Sequence, residues 1–165
     1  ECFRVLKKNG SMMYQHKNRI SKGVQISPYE WLLKTDFIVK QEIVWINRSQ
    51  NFDKIRFYPF TERVYWLTKY SKTKLINTIN KQDVFDYKEW KPVGTKGQHT
   101  RAFPEKMVED FLKVFPKAKL ILDPFMGSGS TYKAIRNSKF GDQHKYLGIE
   151  KDTEMFKKAL QYVSK

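Results

Sequence analysis

A chain of 165 residues, 40% of them hydrophobic and 15% aromatic, is long enough to bury one core and too apolar to stay unfolded. Its 32 basic against 17 acidic residues leave a formal charge of +15, which points to a polyanionic partner, and no apolar run approaches the roughly 18–20 residues that span a membrane. The single cysteine, Cys2, builds neither a disulfide framework nor a zinc site and fits a reducing, cytoplasmic setting, where a free Cys is commonly a core residue. A Lys-rich coding bias would raise the charge without any partner. Against that, aromatics lie among the scattered cations, as in Arg56-Phe57-Tyr58, Arg63-Val64-Tyr65-Trp66 and Lys88-Glu89-Trp90-Lys91. That mixture suits a groove that neutralises phosphates and stacks bases, and equally suits amphipathic strands.

In chain order, Glu1 to Leu6 reads as the end of a helix, with order and composition unlike a signal peptide. Lys7-Lys8-Asn9-Gly10 supplies the cationic last turn and the glycine stop. A short apolar strand, Ser11 to Gln15, follows. Ser27-Pro28-Tyr29-Glu30 starts a helix reaching about Lys34, with Ser as cap, Pro in the first turn and Glu three residues after the cap. Phe37 to Ile46 alternates and is β-branched, so it predicts a strand; Asn47 to Phe60 is polar and irregular; Arg63 to Tyr70 predicts a second strand. The two strands make a long antiparallel hairpin, expected at a sheet edge.

Tyr70 to Gln98 shows no periodicity and is rich in loop formers, and a loop of that length in a compact domain is commonly functional. Phe103-Pro104 opens a helix to Phe115 whose apolar face carries Met107, Val108, Phe111 and Leu112. Lys119 to Leu122 predicts a buried strand, Thr131 to Asn137 a helix, Tyr146 to Glu150 a strand and Thr153 to Val163 a last helix. Strand, helix, strand, helix is the pattern of a parallel α/β unit. No internal repeat or low-complexity tract interrupts it.

Chemistry concentrates where the first of those strands ends, at Asp123-Pro124-Phe125-Met126-Gly127-Ser128-Gly129-Ser130. In a parallel sheet ligands bind at the carboxyl ends of strands. Gly127 and Gly129 permit a sharp turn and a close backbone approach, and the following helix start offers unpaired amides. A phosphate loop would need Gly-Lys-Ser/Thr after four spacer residues, and no such lysine is present. A dinucleotide fingerprint would need glycine where Tyr132 stands, and Asp123 would repel a pyrophosphate. The next strand also ends in a carboxylate, Glu150, placed to accept hydrogen bonds from two ribose hydroxyls. The ligand expected is a nucleoside with a neutral or cationic tail; S-adenosylmethionine fits.

The same residues carry a family resemblance. Asp123 to Ser130 together with Gly148-Ile149-Glu150 resembles the cofactor motif of the DNA methyltransferases that modify adenine N6 or cytosine N4. His99-Thr100-Arg101-Ala102-Phe103-Pro104-Glu105-Lys106 resembles the helix-opening cofactor motif that precedes it in the permuted, beta-type members. Arg4 to Ser11 is similar to their turn after the catalytic strand, a weaker match, and the resemblance spans most of the chain apart from about 71–97. It implies an α/β, Rossmann-like methyltransferase fold with a mostly parallel sheet and the antiparallel hairpin at one edge. The expected organisation is one domain: 1–70 the second half of the catalytic sheet, 71–98 a short target-recognition-like region, and 99–165 the S-adenosylmethionine-binding part. By resemblance, Asp123, Phe125, Gly127, Gly129 and Ser130 cradle the amino-acid end of the cofactor. Glu150 takes the ribose, and His99, Thr100 and Phe103 close over the methionine. Ser130 stands where threonine is commoner.

The family's Pro-Pro-aromatic catalytic motif, which grips the acceptor base, is not in the sequence, because no Pro-Pro dipeptide occurs. The permuted order would place it before Glu1, so the expectation is a fold incomplete at its N-terminus, completed by a missing segment or a second chain. The expected partner is double-stranded DNA, with no membrane and with bacterial- or phage-type cytoplasmic residence. The reaction implied is site-specific methyl transfer to an exocyclic amino group of a base turned out of the duplex. Arg56, Trp90, Lys91 and Lys96 are candidate DNA contacts, while Trp31, Trp45 and Trp66 read as core. His16 and His144 have no partner at ligand spacing, so no metal site is expected. The competing reading is a non-catalytic subunit that binds nucleic acid or cofactor without chemistry; an RNA substrate is a third.

Overall fold

The computed structural model describes residues 1–48, 54–77, 82–89, 103–139 and 141–163, with 162 and 163 described by backbone alone. The chain divides into two compact units, Glu1–Lys74 with Asn80–Asp86, and Leu75–Ile79 with Tyr87–Lys165.

The first unit runs α1 (Cys2–Val5), β1 (Ser11–His16), β2 (Arg19–Ser21), β3 (Val24–Ile26), α2 (Tyr29–Leu32), β4 (Ile38–Ile46), β5 (Thr61–Thr68) and β6 (Val84–Asp86). Four of these strands form a sheet in the order β1-β5-β4-β6. The β4–β5 hairpin is antiparallel with Ile46 opposite Thr61, β1 pairs antiparallel with β5, and β6 lies parallel to β4. The hairpin expected at a sheet edge is therefore flanked on both sides within this sheet. The physical reason lies in the second half of β5, which is buried on both faces at Val64, Tyr65, Trp66, Leu67 and Thr68. Such a stretch needs neighbours on both sides and cover on both faces. Leu32 from α2 closes one side against Tyr65 and Leu67, with Met12, Tyr14, Tyr29, Trp31, Phe37 and Val39 packed around them. Trp45 and Trp66 are buried and Trp31 is partly so, as their core reading expects. Cys2 is only half-buried.

Two elements of this unit have no counterpart in the sequence reading. The β2–β3 hairpin turns on Lys22 and Gly23, both at positive φ (50° and 81°), the conformation of a tight two-residue hairpin turn. The strand β6 falls inside the stretch that shows no periodicity.

In the second unit come α3 (Glu105–Val114), β7 (Leu120–Asp123), α4 (Ser130–Asn137), a 3₁₀ turn (Gly141–Gln143), β8 (Lys145–Gly148) and α5 (Thr153–Val163). The parallel pair β7–β8, joined through α4, is the expected α/β unit, with Asp123 level with Gly148. Over the described residues the pairings are mixed, parallel in β7–β8 and β4–β6 and antiparallel elsewhere. Val108 and Leu112 of α3 pack on Ala134 and Ile135 of α4, with Phe103, Ile121 and Tyr146 against them. Burial of a large aliphatic side chain contributes about 1.5–3 kcal/mol, so this cluster fixes the helices to one face of the strand pair. The strand expected to be buried is only half-buried, and on that face alone: Leu120 and Leu122 alternate to the other side and are 55% and 37% exposed. Among the described residues no helix is long and apolar enough to cross a membrane.

Candidate functional site

The site is built at the carboxyl ends of β7 and β8, inside the second unit. At the end of β7, the Asp123 carboxylate is held from two directions. Its Oδ1 accepts from the Phe125 amide at 3.2 Å and its Oδ2 from the Thr131 hydroxyl at 2.6 Å. The chain then turns through Gly127 (φ 51°) and Gly129 (φ 83°), a left-handed backbone that a side chain would strain. Gly129 caps α4, and no side-chain cap covers that helix start. Ser130 and Thr131 are buried in the first turn, and the Ser128 and Ser130 hydroxyls lie 3.2 Å apart.

The turn is fastened to the end of β8. Ile149 donates its amide to the Asp123 carbonyl and Met126 donates to the Ile149 carbonyl, at 2.9 and 3.0 Å. The Glu150 carboxylate then accepts from the Gly127 amide through Oε2 and from the Asp152 amide through Oε1, each at 2.9 Å. Asp152 in turn caps α5 by accepting from the Met155 amide at 2.8 Å. Glu150 is thus a staple between the glycine turn and the start of α5. A carboxylate offers about four acceptor positions, so two backbone bonds leave room for a diol.

Between the two strand ends, Gly148 leaves space for its neighbours. A Cβ there would stand 2.6 Å from both the Met126 sulfur and the Tyr146 hydroxyl. Burial, and then the nearby Asp123 carboxylate, push the Tyr146 phenol well above its ordinary range. That hydroxyl is buried close to Asp123 without a well-formed hydrogen bond. Phe125, by contrast, is 84% exposed at the lip of the turn. Two carboxylates, a left-handed glycine backbone, an exposed aromatic ring and no lysine in the turn accommodate a nucleoside with a cationic tail better than a phosphate.

The structure therefore brings Asp123, Phe125, Gly127, Gly129, Ser130 and Glu150 together. Phe103 packs instead on the α3–α4 cluster, half-buried. His99, Thr100, Trp90, Lys91 and Lys96 lie outside the described residues. Arg56 belongs to the first unit, where its Nη1 donates to the Gly23 carbonyl at 3.2 Å. Thr131 and Tyr146 are participants that the sequence reading missed. A hydroxyl in the first turn of the helix, eight residues after the strand-end Asp, was the available signal for Thr131. Tyr146 carried none, because it reads as one more apolar strand residue.

Comparison with known proteins follows the same lines. The DNA methylase family model for N6/N4 enzymes matches residues 1–161. The M1.HpyAVI–SAM complex superposes with a TM-score of 0.68 at 23% identity, covering 96% of this chain and 76% of that one. TTHA0409 from Thermus thermophilus, a putative DNA modification methylase solved with S-adenosyl-L-methionine, gives a TM-score of 0.66 at 18% identity, covering 98% and 72%. At these identities the two structures establish the fold. No curated protein matches the chain by sequence. With nearly all of its length matched by one family model, the chain belongs to the N6/N4 DNA methylase family.

Proposed function

We propose that this protein is an S-adenosylmethionine-dependent DNA methyltransferase acting on an exocyclic amino group, adenine N6 or cytosine N4, and that residues 123–150 hold the methyl donor. The observation that carries the reading is the pair of carboxylates, Asp123 and Glu150, at the ends of adjacent parallel strands and bonded to one glycine turn. When bound, the cofactor supplies an electrophilic methyl group on a sulfonium. The chain's own residues bind and orient it. Glu150 takes the ribose hydroxyls on its remaining lone pairs. Asp123, fixed by Thr131 and the Phe125 amide, faces the cationic end, and Gly127 and Gly129 let the backbone approach. Ser130 lines the helix start, the Phe125 ring covers the ligand, and His99 and Thr100 complete the methionine end. Rate comes chiefly from positioning of nitrogen against methyl carbon, which such a rigid cradle favours.

The substrate is double-stranded DNA, contacted by Arg56, Trp90, Lys91 and Lys96, and the target base is turned out of the stack. The acceptor-gripping motif is contributed from outside these 165 residues, by the same polypeptide or by a second chain. The enzyme works in the cytoplasm of a bacterial- or phage-type system as one methyltransferase domain, with 71–98 as its recognition region. Calorimetric titration with S-adenosylmethionine tests the core of this. Asp123→Ala removes both local hydrogen bonds and the negative charge, and the affinity is expected to fall on the order of 100-fold. Equal affinity of wild type and variant would overturn the assignment.

A further inference from the structure

The loop from Lys54 to Phe60, between β4 and β5, has a composition that its surroundings in the fold do not require. All seven of its residues are exposed. Ile55 is 80% exposed, Phe57 fully so, and Tyr58 and Phe60 47% and 46%. Single exposed apolar residues are ordinary, but four in six positions make a patch, and patches of this kind mark interaction surfaces. Lys54 and Arg56 stand within it, and the acid that adjoins it in sequence, Asp53, lies outside the described residues. The nearest described acid along the chain, Glu62, is already occupied by the Gln15 and Asn47 amides and by Lys17.

The loop is not simply loose chain. Arg56 donates to the carbonyl of Gly23, at the tip of the β2–β3 hairpin. That tip adds Lys22, and the hairpin adds the exposed Ile20 and Val24 and the cation Arg19. A second structural element thus backs the loop and repeats its mixture of positive charge and apolar surface. Four cations, Arg19, Lys22, Lys54 and Arg56, against the single neighbouring acid Asp53 favour a polyanion, and a flat ring held out among cations favours a polyanion with stacked planar groups.

We propose that the 54–60 loop, backed by the β2–β3 hairpin, is a DNA-stacking element in which the Phe57 ring lies against bases exposed by a break in the stack, with Lys54, Arg56 and Lys22 on the flanking phosphates. This rests on the DNA methyltransferase reading and deepens it, since turning a base out of the duplex leaves such a break to be filled. Phe57 is assigned no part in holding the methyl donor.

The test uses the full chain with a short duplex carrying one abasic site and its fully paired counterpart. Wild type is expected to prefer the abasic duplex about tenfold, Phe57→Ala to erase that preference, and Phe57→Trp to keep it. S-adenosylmethionine affinity is expected to be the same in all three proteins. If Phe57→Ala keeps the wild-type preference while binding both DNA and cofactor, the stacking role is wrong and the methyltransferase reading stands. If wild type binds cofactor but neither duplex, DNA as the partner falls and the proposal falls with it. A change in self-association on Phe57→Ala, with DNA affinity unaltered, would make the patch a protein interface and also overturn the proposal.

Discussion

The glycine turn after β7 and the loop after β4 are both short connections in a strongly basic chain, yet they are made in opposite ways. In the turn, both carboxylates have partners on both oxygens, and the backbone is locked by three inter-strand and turn hydrogen bonds of 2.8 to 3.0 Å. In the 54–60 loop every residue is exposed, and the Arg56 bond to Gly23 is a fixed point. A small rigid ligand repays a site whose order is built in advance, because little entropy remains to be lost on binding. A long polyanion is met instead by exposed charge and apolar surface spread along its length. The contrast predicts that mutations in the turn act steeply and on cofactor affinity, and that mutations in the loop act shallowly and on DNA.

The largest effect is expected at Glu150. Its replacement by alanine strands the amides of Gly127 and Asp152 and removes the ribose acceptor together. Hydrogen bonds to a charged group contribute about 1.5–3 kcal/mol each, so a loss of about 2 kcal/mol of stability is expected after solvent replaces part of them. Denaturant unfolding measures that, and calorimetry should show cofactor affinity lower by about 100-fold. Glu150→Gln keeps one acceptor and is expected to fall between. If Glu150→Ala lost affinity but no stability, the staple would be ornamental and the turn rigid for other reasons.

Thr131 sharpens the comparison at smaller amplitude. Thr131→Val keeps the shape of the buried side chain and removes the 2.6 Å bond to Asp123. A bond of this kind is worth on the order of 1 kcal/mol, so the cofactor dissociation constant is expected to rise about fivefold. Thr131→Ser restores the hydroxyl and should restore affinity, which a purely packing role for the threonine would not do.

The turn is readable in sequence residue by residue, whereas the loop shows only as an irregular stretch with Arg56-Phe57-Tyr58 in it, and the same difference explains why. Asp123, Gly127, Gly129 and Glu150 are each demanded by local geometry, a strand end or a positive φ, so residue type and spacing betray them. The helix at 105–114 and the strands at 38–46 and 61–68 were legible through their periodicity. The three-residue strand β6 was not, because three residues cannot display alternation, and its place is set by pairing with Val44, Trp45 and Ile46. Nor was the β2–β3 hairpin, whose turn uses Lys22 where Asn or Asp would announce a positive φ. The half-exposed face of β7 was hidden for a third reason: Leu120, Ile121 and Leu122 are equally apolar, and only Ile121 meets the α3–α4 cluster.

Arg56 gives the smallest effect and the one most diagnostic of the loop. It is exposed, and its guanidinium both meets the hairpin tip and adds one positive charge to the patch. Each phosphate neutralised by the protein contributes about −0.9 to the slope of log affinity against log salt. Arg56→Ala is therefore expected to weaken duplex binding only severalfold at about 100 mM salt, and to flatten that slope by about one unit. Arg56→Lys retains a charge but reaches less far and cannot bond as a planar fork, so it should keep the slope while losing part of the affinity. An unchanged slope in Arg56→Ala, beside an about tenfold loss in affinity, would mean that Arg56 acts by holding the loop on Gly23 and not by meeting phosphate. In that case the 54–60 loop would depend on preorganisation as the glycine turn does, and the distinction between the two regions would be one of degree.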